Sequence, residues 1–301
     1  MVFSEITFCD HFEKHTSVIL SEIFVNGVWC NGSILALGAS SPSSNLGTPT
    51  TVKVIVNNLS VEYEEAGAGP VVFFLHGWKS DLHTFDALLP FLISSYRVIR
   101  LDLPGFGGSE FPASPWGVGE YVNFVQAFVE KLGVSVEVLV GHSFGGRIAI
   151  KGVGTGKLRP NRVILIGSAG LARHNTLRNQ MFKVFAKVGK AVTLIFPASI
   201  REYLRSRLYQ KAGSSDYLNA GTLKETSRKV IQEDLSGSAS QIKVPTLLIW
   251  GENDMATPLS DGKRFAELIS GSTLRVLSGA GHFVHEEKPV EVEKVIREFI
   301  A

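Results

Sequence analysis

Cysteine is nearly absent: two in 301 residues, Cys9 and Cys30, both before residue 52. The rest of the chain has no material for a disulfide framework or a cysteine zinc cluster. Charge of one sign is missing as well. Thirty Lys and Arg stand against 28 Asp and Glu, a formal net charge of +2. That balance gives no electrostatic footprint for nucleic acid or a membrane surface. No basic segment opens the chain, and Met1 to Asp10 carries Glu5 and Asp10, so no secretory leader is read there. Val18 to Leu37 is fairly apolar but holds Glu22, Asn26 and Asn31, which makes it a poor membrane span. These absences predict a cytoplasmic protein with no stable membrane anchor and no nucleic-acid partner. Nothing in the sequence specifies an oligomeric state.

What remains is ordinary globular composition, 45% hydrophobic and 19% charged, on a chain long enough to bury a sizeable core. Residues 1–51 show no sustained period and end in a Ser/Pro/Gly/Thr-rich stretch, Ala39 to Thr51, of linker composition. They read as an N-terminal extension. It is either an addition upstream of a natural start near Val52 or a native segment packed on the domain. Alternation begins at Val52, with a turn at Asn57-Asn58, in a hairpin pattern.

Strand and helix patterns then alternate. Val71 to Leu75, Arg97 to Leu101, Val136 to Val140, Arg162 to Ile166, Thr246 to Trp250 and Thr273 to Leu277 read as strands. Helices are expected over His83 to Ser94, Gly119 to Leu132, Phe144 to Val153, Asp261 to Ile269 and Val290 to Phe299. This order implies an α/β fold, a mostly parallel central sheet flanked by helices. The stretch between Ile166 and Thr246 breaks the rhythm. It is too long for a structureless loop in a compact domain, and Leu177 to Phe196, Ile200 to Gln210 and Thr222 to Glu233 have helical spacing. Residues 170–242 therefore read as an inserted helical cap, between core segments 52–169 and 243–301.

The sharpest signal is Gly141-His142-Ser143-Phe144-Gly145-Gly146, lying between an apolar strand and a helix. In that setting a G-x-S-x-G serine sits on a strained strand-to-helix turn with its hydroxyl exposed. A plain glycine-rich turn is the bland alternative, and the flanking strand and helix argue against it. From Val52 to Ala301 the sequence resembles the α/β-hydrolase superfamily, in an esterase- or lipase-like form with a helical lid. The resemblance implies a triad in chain order Ser, Asp, His.

On that resemblance Ser143 is the nucleophile. Asp254, in Gly251-Glu-Asn-Asp254-Met-Ala-Thr-Pro258 after a late strand, is the acid, with Glu252 the competitor. His282, after the Gly279-Ala-Gly281 turn, is the base, and His285 is assigned to packing or solvent. The oxyanion hole is expected from the backbone N–H groups of Phe144 and of Trp78, the latter in the loop His76-Gly77-Trp78. The Trp78 ring and His142 are candidates to touch substrate. His76 is expected to brace its loop, and Asp102, in the D-x-P-G-x-G-x-S segment Asp102 to Ser109, to fix a turn. No metal and no organic cofactor is implied.

These parts imply hydrolysis of a small-molecule carboxylic ester through an acyl-enzyme. A histidine base must be neutral to work, so activity is expected to fall on acidification. The same residues also suit a C–C bond hydrolase of keto-dienoate ring-cleavage products, an amidase, a lactonase or an acyltransferase. A ligand-binding protein that lost turnover is the reading from outside enzymology. Dehalogenases and epoxide hydrolases of this fold use an aspartate nucleophile, and Ser143 speaks against both. Leu171 to Lys243 holds thirteen Lys/Arg against five Asp/Glu. This excess reads as a solvated outer face, with attraction of anionic substrates as the alternative.

Overall fold

The computed structural model describes residues 23–25, 28–30, 49–172 and 223–301. The chain divides into two units, Met1–Asn45 and Leu46–Ala301. In the first, β1 (Ile23–Val25) and β2 (Val28–Cys30) pair antiparallel. The second carries the site.

Its opening hairpin follows from two asparagines. β3 (Thr50–Val56) and β4 (Leu59–Ala66) pair antiparallel, with Val56 opposite Leu59. The turn residues Asn57 and Asn58 have φ of 48° and 63°, the left-handed pair a tight hairpin turn demands and asparagine tolerates. β3 starts earlier than the expected boundary at Val52. Thr50 and Thr51 already pair with Glu65 and Glu64, so a boundary between residues 51 and 52 would cut the strand.

β5 (Val71–Leu75), β6 (Arg97–Leu101), β7 (Val136–His142), β8 (Arg162–Ile166), β9 (Thr246–Gly251) and β10 (Thr273–Leu277) complete an eight-stranded sheet. Its order is β10-β9-β8-β7-β5-β6-β4-β3. The six strands from β10 to β6 pair in parallel, and β4 pairs antiparallel with both β6 and β3. This is the mostly parallel sheet the alternation implied.

Period-2 alternation sends side chains to two cores. Phe73, Leu75, Leu139 and Leu165 pack on one face beneath α2 (Val118–Leu132) and α3 (Phe144–Gly154). Val72, Phe74, Val138, Val140, Ile164 and Ile166 pack on the other with Phe85, Leu88, Val292 and Ile296. Layers on both faces explain why β5 is buried at all five residues, and hence why it reads as an unbroken apolar run.

The helix expected over His83 to Ser94 is two pieces: a 3-10 helix Leu82–Leu88, then α1 (Leu89–Leu92). Asp81 caps the first through the N–H of His83. Pro90 has no N–H to return to Asp86, so one continuous α-helix cannot form across the join. Of residues 170–242, α4 (Lys224–Gln232) and the short α5 (Ser236–Ala239) are described. The helices expected at Leu177 to Phe196 and Ile200 to Gln210 lie outside the described residues. The chain ends with α6 (Leu259–Leu268), α7 (Val284–Glu287) and α8 (Pro289–Ile300).

Candidate active site

Ser143 joins β7 to α3 with φ 49° and ψ −105°, a left-handed conformation that a side-chain-bearing residue adopts only under constraint. Its N–H donates to the Ile166 carbonyl at 3.0 Å, and its own carbonyl accepts from Ala169 at 3.1 Å. The turn can form because the residues two positions to either side, Gly141 and Gly145, carry no side chain and come into close approach. A Cβ on Gly145 would lie 2.0 Å from the Leu75 carbonyl oxygen, so only glycine lets α3 pack this closely on β5.

His282 stands with Nε2 3.0 Å from Ser143 Oγ and Nδ1 2.8 Å from Asp254 Oδ2. The carboxylate accepts at that end, so Nδ1 carries the proton and the Nε2 lone pair faces the serine hydroxyl. Asp254 is enclosed. Oδ1 accepts from the N–H groups of Ala256 and Thr257, each at 2.8 Å, and Oδ2 also accepts from Thr257 Oγ1 at 2.8 Å. Burial works to raise its pKa, but the bonds from His282 and Thr257 together prevail and hold it below the usual carboxylate value. Thr257 Oγ1 is also 2.9 Å from the Gly167 carbonyl, so its single proton is shared between that carbonyl and the carboxylate, which ties the Asp254 loop to the end of β8. The loops that carry Asp254 and His282 meet where Gly251 lies against Gly281; a Cβ on Gly251 would come 2.1 Å from the Gly281 carbonyl oxygen.

Glu252 is elsewhere engaged. Its carboxylate accepts from Ser278 Oγ and the Gly279 N–H, away from the histidine. His285 is fully buried, with Nε2 3.1 Å from Thr84 Oγ1. Burial pushes its pKa down to about 3, with His282 adding to the shift. His76 is bonded at both nitrogens, Nδ1 to the Gly77 carbonyl at 2.7 Å and Nε2 from the Leu103 N–H at 2.9 Å. Its pKa falls to about 4, chiefly through burial. It links its own loop to the next one. Asp102 accepts there from the N–H groups of Leu82 and Gly108, each at 2.7 Å, which is a turn-fixing role.

Among the described residues, the backbone N–H groups of Trp78 and Phe144 donate to no other backbone group. The Trp78 ring is half-buried against Phe106 and Phe144, with centroids 5.0 and 5.3 Å away. His142 differs from expectation. It is buried, with Nε2 3.1 Å from the His282 carbonyl and Nδ1 also enclosed. Neither nitrogen faces solvent, so the substrate contact expected of it is not supported. No group of three or more metal-ligating side chains converges among the described residues, and no described helix is long and apolar enough to cross a membrane.

Thr257 was missed by sequence reasoning. Its signal was available, a hydroxyl three residues after the acid in a turn-forming loop, but turn chemistry alone does not announce a contact with the carboxylate.

The family profile of the alpha/beta hydrolase fold matches residues 70–289. The chain belongs to the α/β-hydrolase family. Within it, the chain is similar to YugF of Bacillus subtilis, a hydrolase whose activity is uncharacterised, at 29% identity over 262 residues, covering 81% of this chain and 94% of that one. It is also similar to the 2-hydroxy-6-oxo-6-phenylhexa-2,4-dienoate hydrolase of Comamonas testosteroni, at 26% identity over 275 residues, covering 81% and 92%. Among solved structures, a bacterial membrane phospholipase A superposes with a TM-score of 0.67 at 24% identity, covering 85% of this chain and 86% of that one. At that identity the likeness speaks for the α/β-hydrolase fold alone.

Proposed function

We propose that this chain is a serine hydrolase that cleaves carboxylic esters of small to medium acyl chains through an acyl-enzyme on Ser143. The observation that carries the reading is the unbroken line Asp254 Oδ2, His282 Nδ1, His282 Nε2, Ser143 Oγ, at 2.8 and 3.0 Å, with the serine on a strained turn.

His282 Nε2 takes the hydroxyl proton as Ser143 Oγ attacks the ester carbon. The carbonyl electron pair moves to oxygen, and the N–H groups of Phe144 and Trp78 receive that oxyanion. When the tetrahedral species collapses, His282 returns the proton to the leaving alkoxide and the alcohol departs. Water, deprotonated by the same nitrogen, attacks the acyl-enzyme; the acid leaves and Ser143 regains its proton. Asp254 remains ionised throughout and stabilises the imidazolium. The half-buried Trp78 ring, packed on the buried rings of Phe106 and Phe144 beside the turn, offers an apolar surface to an acyl or aryl group.

A second reading has a specific observation behind it. The similarity to the dienoate hydrolase supports hydrolysis of a C–C bond next to a ketone by the same three residues.

A fluorophosphonate probe tests the shared chemistry. Stoichiometric labelling of the wild-type chain and none of Ser143→Ala is the expected result. An unlabelled wild type would leave the reading without its nucleophile and favour a binding protein without turnover.

A further inference from the structure

His142 ends β7, one residue before Ser143, and is 1% exposed. Its Nε2 lies 3.1 Å from the backbone carbonyl oxygen of His282. A carbonyl only accepts, so Nε2 carries the proton and Nδ1 is a bare lone pair. That Nδ1 is buried without a hydrogen-bond partner, and it faces Gly77, where a Cβ would stand 2.9 Å away. The ring is flanked by His282, His285 and Phe283, with centroids at 4.8, 4.5 and 5.2 Å.

The surroundings keep this ring neutral. Burial lowers its pKa well below the ordinary histidine value, and His285, His282 and His76 lower it further; only the bond to the His282 carbonyl opposes them. The nearby carboxylates are engaged elsewhere. Asp254 is bonded to His282 and Thr257, and Glu286 accepts from Thr84 Oγ1. Neutrality has a chemical consequence, because a charged His142 would oppose the imidazolium forming on the adjacent ring.

The hydrogen bond also spans two parts of the site. The strand that delivers the nucleophile grips the main chain of the base through the residue beside the nucleophile. A movement that carries the His282 main chain away from β7 breaks this bond. We infer that His142 is a positioning residue: its neutral Nε2–H holds the His282 carbonyl and so fixes the base between Asp254 and Ser143. The inference rests on the reading of His282 as the base.

The test compares wild type, His142→Leu and His142→Gln in p-nitrophenyl ester hydrolysis. Leucine fills space but leaves the carbonyl unpaired; glutamine supplies an amide N–H to replace the bond. His142→Leu is expected to lose about tenfold or more in kcat, with KM within about twofold. The acid limb of its kcat/KM profile should move to lower pH, because a base held less squarely against Asp254 forms a less stabilised imidazolium. His142→Gln should restore most of kcat and return the limb. Unchanged kcat and limb in folded His142→Leu would overturn the inference. So would equal impairment of both folded variants, which would mean a space-filling role. Ser143→Ala separates the two ideas, since no loss in that variant defeats the hydrolase reading by itself. In that event NMR of imidazole-15N-labelled wild type decides. The inference requires His142 protonated at Nε2, bare at Nδ1 and still neutral where an ordinary histidine takes up its proton; any other state overturns it.

Discussion

Asp254 accepts four hydrogen bonds, two from backbone N–H groups, one from Thr257 and one from His282. Its lowered pKa means that whatever stability it contributes is present above the ordinary carboxylate pKa and is lost only as pH falls through its own, lower value. Asp254 therefore stays charged well below the pH at which an ordinary histidine titrates. Asp254→Asn preserves shape but offers an amide where the Nδ1 proton needs an acceptor, which favours the wrong tautomer. Its kcat should fall about 10⁴-fold, with KM little changed, in steady-state kinetics on any ester the wild type turns over. A loss below about tenfold would remove Asp254 from the mechanism. The sequence pattern singled out Ser143, Asp254 and His282 because each follows an apolar strand in a short glycine-containing segment, and the geometry brings the three side chains together. The burial of His142 and the reach of Thr257 were not legible, because both depend on loops that approach from distant parts of the chain.

At the scale of elements, sequence pattern served best where side chains alternate or repeat on one face. All eight strands of the main sheet and α2 fell out of apolar spacing to within a residue or two at most ends. It served worst where one residue blocks a backbone bond, as Pro90 does between the 3-10 helix and α1. The contact between α3 and β5 gives a prediction of its own. A methyl on Gly145 would stand 2.0 Å from the Leu75 carbonyl oxygen, and that neighbour is backbone in the middle of a sheet. Gly145→Ala should destabilise the fold by about 3 kcal/mol, measured by urea unfolding. It should also lower kcat, since the shift falls on the turn that aims Ser143 and the N–H of Phe144. Wild-type stability in this variant would show that α3 has more room than the geometry allows.

The whole molecule carries a cluster of neutral histidines around the site. His76 and His285 have pKa values of about 4 and about 3, and His142 lies well below the ordinary value. Unfolded, each titrates near 6.5. Between the folded and unfolded values the unfolded chain binds more protons, so stability rises with pH there and is lost as pH falls below about 6.5. Each ring contributes roughly 1.4 kcal/mol per pH unit once well inside that window. The urea midpoint should be nearly flat from about pH 7 to 8 and fall steeply from about 6.5 to 5. His285→Gln should reduce the acid slope by about one proton. A midpoint independent of pH across this range would mean that these rings take up protons while folded.

The most direct test of the central claim is hydrolysis of p-nitrophenyl esters, from acetate to dodecanoate, by wild type and Ser143→Ala. Turnover at short to medium chain length that vanishes with Ser143→Ala is the predicted result, and the best chain length would measure the acyl pocket. No turnover at any length by a folded wild type would contradict the ester reading and leave the C–C hydrolase and the binding protein without turnover in its place.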